Sequence, residues 1–220
     1  MSKKVIVTIG RQYGSGGRRI GTRLAEMLSL DYYDKALFDE ASRMSGVKRE
    51  YFERADEKSP FSAIGLNMSI GGVYGTPFLG AAQTLEDKLF EFLSGTICKI
   101  ADSGRGAVIV GRCADYILRD RRELFSVFVH APIADRIRRT AERERLSERE
   151  ALERIKRQDK QRAAFYNFYS GGKWGDARTY DLCIDSSFTG IERTCDLLAS
   201  VVETITDNKS TEQYRLKDNL

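Results

Sequence analysis

Apolar residues in this chain fall into short unbroken runs, separated by longer stretches in which they recur every three or four positions. VIVTI (5–9), AVIVG (107–111) and LFSVFV (124–129) are continuous and rich in β-branched residues, the pattern of strands covered on both faces. A weaker LDYY (30–33) and DLCID (181–185) complete a set of five. Between the strands the period becomes helical. Ile20, Leu24 and Met27 share one face of a first helix. Leu85, Leu89, Phe92 and Ile100 precede the third strand at near-helical spacing, and Ile191, Cys195, Leu198, Val202 and Ile205 follow the last strand. Ser147 and Glu150 have the spacing of a capping box, which opens the helical segment SEREALERIKRQDKQRAAFYNFY. Strands alternating with helices predict an α/β fold built on a parallel sheet.

The 220 residues suit one domain over 1–206, with a polar, aperiodic tail at 207–220. No apolar run approaches the roughly 18 residues of a membrane span, and the apolar run after MSKK is too short for a signal-peptide core. Cys98, Cys113, Cys183 and Cys195 form no C-x-x-C pair and read as free thiols of a cytoplasmic protein. The single histidine, His130, speaks against a histidine metal site or a Ser-His-Asp triad, and no metal-ligand set is read from the chain. Net charge is only +4, but residues 134–162 hold nine arginines and two lysines against seven acids. Such local basicity suits a helical segment that grips phosphates. Residues 59–85 are the opposite case, with no charged residue and five glycines. They read as an insertion on the acceptor side, a loop packed on the core, or the interface of a homodimer.

The first strand runs into GRQYGSGGRRIG (10–21) and then a helix. Phosphate binding needs convergent N–H donors and close backbone approach, which glycines and a helix N-terminus supply. Gly14, Ser15, Gly16 and Gly17 are the candidates for that cradle. The standard loop is G-x-x-x-x-G-K-[ST], and its lysine is missing here. If Gly16 is the last motif glycine, Gly17 occupies the lysine position. If Gly17 is, Arg18 occupies it and Arg19 the hydroxyl position. Arg18 or Arg19 is thus the candidate replacement cation, and Ser15 and Thr22 are the nearby hydroxyls for Mg²⁺. Asp34, after the second strand, is a candidate to orient an acceptor or a metal-bound water, or else a helix cap. Gly111-Arg112 after the third strand sends a guanidinium toward the crevice at the strand ends. Arg154, Lys156, Arg157, Lys160 and Arg162 lie near Asp159 in the basic helical segment, and YDLCIDSS (180–187) closes the series.

On these features the chain resembles the cytidylate kinase-like family of P-loop proteins over roughly residues 4–205. The resemblance rests on TIGRQYGSGGRRI, YYDK (32–35), VGRCADYIL, IKRQDKQRAAFY and the YDL-ID-S ending. It implies a three-layer P-loop NTPase fold with a five-stranded parallel sheet and a helical lid over 134–170. It also implies ATP and Mg²⁺ as cofactors, and a small nucleotide such as CMP or dCMP as acceptor. Arg112 and Asp34 would then bind the acceptor, residues 14–19 the donor phosphates, and Arg18, Arg157, Asp159 and Arg162 would serve the transfer. Cys113 stands where the kinases' G-R-D motif has aspartate.

Other readings share parts of this evidence. A kinase for a non-nucleotide acceptor would keep the loop and the lid. A non-catalytic nucleotide sensor would account for the lost lysine. A nucleic-acid binder calls for a basic stripe, whereas ERERLSERE (142–150) is interleaved with acids and reads as a solvated, paired face. Tyr166, Tyr169 and Trp174 suit either base stacking or packing.

Overall fold

The structure is a computed structural model and describes residues 5–57 and 85–207. Five strands, β1 (Ile6–Arg11), β2 (Asp31–Tyr33), β3 (Ala107–Val110), β4 (Leu124–His130) and β5 (Leu182–Asp185), form one sheet in the order β2-β3-β1-β4-β5. Every pairing is parallel. Parallel strands need crossovers, and helices supply them. These are α1 (Gly17–Leu28), α2 (Ala36–Ser45), α3 (Arg49–Glu57), α4 (Leu85–Asp102), α5 (Ala114–Ile117), α6 (Ile133–Glu144), α7 (Glu148–Ser170) and α8 (Ile191–Asp207). The uncharged stretch ahead of Leu85, and the tail beyond Asp207, lie outside the described residues.

Successive residues of β1 serve opposite faces. Val5, Val7 and Ile9 pack with Ile20 and Leu24 of α1 and Leu198 of α8. Ile6 joins Leu37 of α2 and Leu89, Leu93 and Ile97 of α4. This two-sided burial explains why the strands read as unbroken apolar runs. Two helix faces are rotated from the reading of the sequence. Met27 and Phe92 are exposed, while Leu93 and Ile97 turn inward with Leu89. Leu85, at the start of α4, is also exposed.

The strand order brings two arginine-bearing strand ends together. Ile9 pairs with Val110, so Arg11 and Arg112 leave the tips of adjacent strands. The chain crosses to one side of β1 through α1 and to the other after β3, which opens a crevice at the carboxyl ends. Gly21 lets α1 lie close above the sheet there, since a Cβ would fall 2.9 Å from Val110 and 3.2 Å from Ile9.

Leu24 is fully buried between α1 and the sheet. Leu24→Ala is expected to cost about 2–5 kcal/mol, seen as a lower urea midpoint with an unchanged slope.

Candidate functional site

The loop after β1 is held by side chains from three other elements. Asp159 of α7 accepts the N–H of Tyr13 at 2.7 Å and an Arg136 Nη1–H at 2.5 Å, while the same Nη1 donates to the Tyr13 carbonyl at 3.2 Å. Arg139 of α6 donates to the Ser15 carbonyl at 3.0 Å and to the Ser186 hydroxyl at 3.0 Å. The buried Ser186 hydroxyl also donates to the Ser15 carbonyl. Arg136 and Arg139 were not singled out from the sequence, and Ser186 entered only as part of the YDLCIDSS ending. The signal of the two arginines was a polar face within an arginine-rich helix, which reads equally well as solvated. The Tyr13 hydroxyl donates to Glu144, which also pairs with Arg143 and Arg154.

The glycines are required by packing. Gly14 and Gly16 have φ of 78° and 86°, where side chains are strained. A Cβ on Gly14 would lie 2.8 Å from the Arg136 carbonyl oxygen, and one on Gly16 2.9 Å from Ile191. The loop is therefore clamped from outside, with its backbone left to face the cleft. The N–H groups of Gly14 and Gly16 make no hydrogen bond with the described residues. Gly16 caps α1 with no side-chain acceptor, and the first turn of that helix holds no acid. Instead it holds Arg18 and Arg19, whose charge opposes the helix dipole. An uncapped, cation-bearing helix start is stabilised by an anion.

The predicted site residues occupy distinct places. The Arg18 Nε lies 2.8 Å from Asp34, and Arg18 is largely exposed. Arg19 points away to Glu192 at 3.3 Å. Asp34 is buried and does not cap α2, whose N-cap is Lys35. The Ser15 hydroxyl donates to the Gln12 carbonyl and that of Thr22 to the Arg18 carbonyl, so both are turned to backbone. Arg157 lies on the wall of a cleft of about 1090 Å³, together with Arg18, Arg19, Asp34, Arg112 and Arg162. Nine arginines and one lysine line this cleft against three acids.

Beside it, a chamber of about 90 Å³ is lined by Arg11, Arg112, Arg162, Asp115, Tyr166 and Trp174, among others. Arg112 sits over the Phe38 ring at 4.5 Å, and Arg162 over the Tyr13 ring at 5.3 Å. Arg162 donates to the Arg11 carbonyl at 3.0 Å. Burial, then the neighbouring Arg11, pushes the Arg112 guanidinium down to about 9, still cationic at neutral pH. Arg162 is depressed by burial and by Arg11 and Arg112. Arg11 is likewise lowered by burial, with Asp34 in partial opposition. Arg11 was not among the residues picked from the sequence.

Cys113 is buried, and its thiol is pushed up by burial and then by Asp115. Asp115 restores a carboxylate to the chamber wall two residues beyond the expected position. It accepts the Tyr166 hydroxyl at 2.8 Å. Tyr169 stacks on Phe90 at 3.7 Å and Trp174 packs edge-on against Phe128 at 5.4 Å, so all three candidate stacking residues have packing partners.

A five-stranded parallel sheet, a glycine loop between β1 and α1 and a basic helical pair at the strand ends define a P-loop kinase-like α/β protein. The chain belongs to the cytidylate kinase-like family, whose model matches residues 6–188. A cytidylate kinase of Aeropyrum pernix is 29% identical over 84% of this chain and 91% of its own length. One of Methanopyrus kandleri is 24% identical over 94% and 98%. An uncharacterized protein from Eubacterium ventriosum has a solved structure with TM-score 0.69 and 28% identity, covering 91% of this chain and 99% of that one. The shikimate kinase of Bacteroides thetaiotaomicron, at 14% identity and TM-score 0.51 over 90% and 98%, shares the fold.

Two outcomes follow from this geometry. Asp159→Ala leaves Arg136 and the Tyr13 N–H without their partner and is expected to lower stability by about 2–4 kcal/mol, measured by urea unfolding. The Asp115 carboxyl is raised above its ordinary value of 3.8, chiefly by burial. Its folded form therefore holds the proton more tightly than the unfolded form, and the wild type loses stability as pH rises through that interval. Asp115→Asn keeps an acceptor for Tyr166, so its melting temperature relative to wild type is expected to rise between pH 4 and pH 7.

Proposed function

We propose that the protein transfers the γ-phosphoryl group of ATP to a small acceptor, a nucleoside monophosphate such as CMP or dCMP. The observation that carries this reading is the convergence of Arg11, Arg112 and Arg162 beside the uncapped start of α1. Such a site suits the transfer of a phosphoryl group between two anions, where the protein chiefly positions groups and neutralises charge. The relatives named cytidylate kinase support a nucleoside monophosphate as acceptor.

The residues fit the phosphates of ATP. The backbone from Gly14 to Gly17 and the first turn of α1 would receive the donor phosphates. Arg112 and Arg162 would hold the acceptor phosphate. An acceptor oxygen would form the new bond to the γ-phosphorus as the bond to the β-phosphate oxygen breaks. Arg157, with the rest of α6 and α7, would cover the transferring group and keep water out. Asp159 would serve by holding the loop to α7.

Mg²⁺ when bound would neutralise the donor phosphates. Among the described residues no group of three potential metal ligands is assembled. Asp34 is the buried carboxylate of the cleft and the residue suited to serve the metal, with phosphates and water supplying the other ligands. A cytoplasmic setting accords with the four unpaired cysteines.

ADP formation from ATP and Mg²⁺ is to be followed against CMP, dCMP, other nucleoside monophosphates and hydroxyl acceptors. CMP- or dCMP-dependent turnover is expected, with kcat/KM falling about 100-fold or more in Arg112→Ala. Turnover with a hydroxyl acceptor alone would assign the non-nucleotide kinase reading. ATP binding without turnover on any acceptor would assign the sensor reading.

A further inference from the structure

The loop resolves which residue stands in the lysine position. Gly16, left-handed, caps α1, and Gly17 is the first residue of that helix. Gly16 is therefore the last loop glycine, position 17 is the lysine slot and position 18 the hydroxyl slot. Neither adjacent arginine fills the lysine slot, because Arg18 turns to Asp34 and Arg19 to Glu192. The space is nevertheless taken. A Cβ built on Gly17 would lie 2.6 Å from the Cβ of Arg11 and 3.2 Å from its Cγ. A side chain at position 17 would thus start against that of Arg11, and one of the two would have to shift.

From that point the Arg11 side chain runs inward. It is largely buried, its Nη2 lies 3.9 Å from Asp34, and it lines both the large cleft and the small chamber. A Cβ on Gly111 would fall 1.9 Å from Arg11 Nη1, so Gly111 also yields room to this guanidinium. Two glycines on different elements make way for one arginine. Beyond its long approach to Asp34, the guanidinium faces both cavities.

We propose that Arg11 is the phosphate-binding cation of this loop, and that the pair Arg11 and Gly17 replaces the usual pair of a small residue and a lysine. The guanidinium would contact the transferring phosphoryl group from the strand side, where a lysine would reach it from the helix. This rests on the phosphotransfer reading above, and extends it by assigning the missing charge to a residue outside the lysine slot.

The experiment is a cycle of Arg11→Gly, Gly17→Lys and the double variant R11G/G17K, with Arg11→Ala and Arg18→Ala alongside. Two readouts are taken, kcat with the accepted substrate and the Kd for ATP and for tripolyphosphate, after thermal unfolding has shown which variants fold. Arg11→Ala is expected to lower kcat by about 100- to 1000-fold, the effect of removing one transition-state charge donor. Each single member of the cycle is expected to be impaired, G17K because its stem collides with Arg11. The double variant is expected to recover at least about tenfold over either single variant, which misfolding cannot produce.

A double variant no better than the product of its singles would overturn the proposal. So would a kcat and a tripolyphosphate Kd that survive Arg11→Ala and are lost in Arg18→Ala. If the wild type binds ATP but turns over no acceptor, the kinase reading fails while the cycle still reads on tripolyphosphate affinity. A wild type that binds neither ATP nor tripolyphosphate overturns both.

Discussion

Like charges repel most strongly where water is absent, and this molecule gathers three guanidinium groups in one small chamber. Arg11, Arg112 and Arg162 are each depressed first by burial and then also by arginine neighbours. The arrangement is held by compensations of modest strength. Among them are the Asp34 and Asp159 carboxylates, the faces of Phe38 and Tyr13, and the Arg11 carbonyl that accepts from Arg162. The apolar core on both faces of the sheet supplies the stability that lets the strand tips carry this load. An anion in the chamber relieves repulsion already present in the folded state, so part of its binding energy is built in before it arrives.

The loop around the chamber owes its shape to exclusion as much as to attraction. Gly14 is pressed by the backbone of α6, Gly16 by Ile191 and Gly17 by Arg11. Asp159 and Arg139 then tie Tyr13 and Ser15 to α7, α6 and the end of β5. A loop fixed on its outer side has few conformations left to lose, and its free N–H groups need no rearrangement to meet a phosphate. The same contacts make Asp159 a fastener of the loop.

The strands could be read from the sequence because parallel strands buried on both faces leave unbroken β-branched runs, as in AVIV and LFSVFV. The capping box of Ser147 and Glu150 was legible because its bonds are local, and both form. Helix faces were less secure. Phe92 and Leu93 are equally apolar, and only the sheet decides that Leu93 faces inward. Arg112 was legible from its place after a strand. Arg11 was not, because its place is set by a close approach to Gly17 across the loop and to Gly111 just beyond another strand. Sequence spacing compares residue 17 with residue 18, whereas the fold compares it with residue 11.

The charges of the cleft form two layers with different freedom. Arg18, Arg19, Arg143 and Arg154 are substantially exposed, and each is paired with an acid. Where both partners are exposed, as in Arg19 with Glu192, such a pair gains little in water, so exchanging the carboxylate for a phosphate oxygen costs little. The inner layer has no such latitude. Asp34 is buried and Arg11 nearly so, and neither can turn to solvent. Arg18 at 2.8 Å and Arg11 at 3.9 Å both face that carboxylate, and of the two Arg11 is the buried one. The proposed phosphate ligand would therefore meet the exposed outer arginines before the buried inner ones.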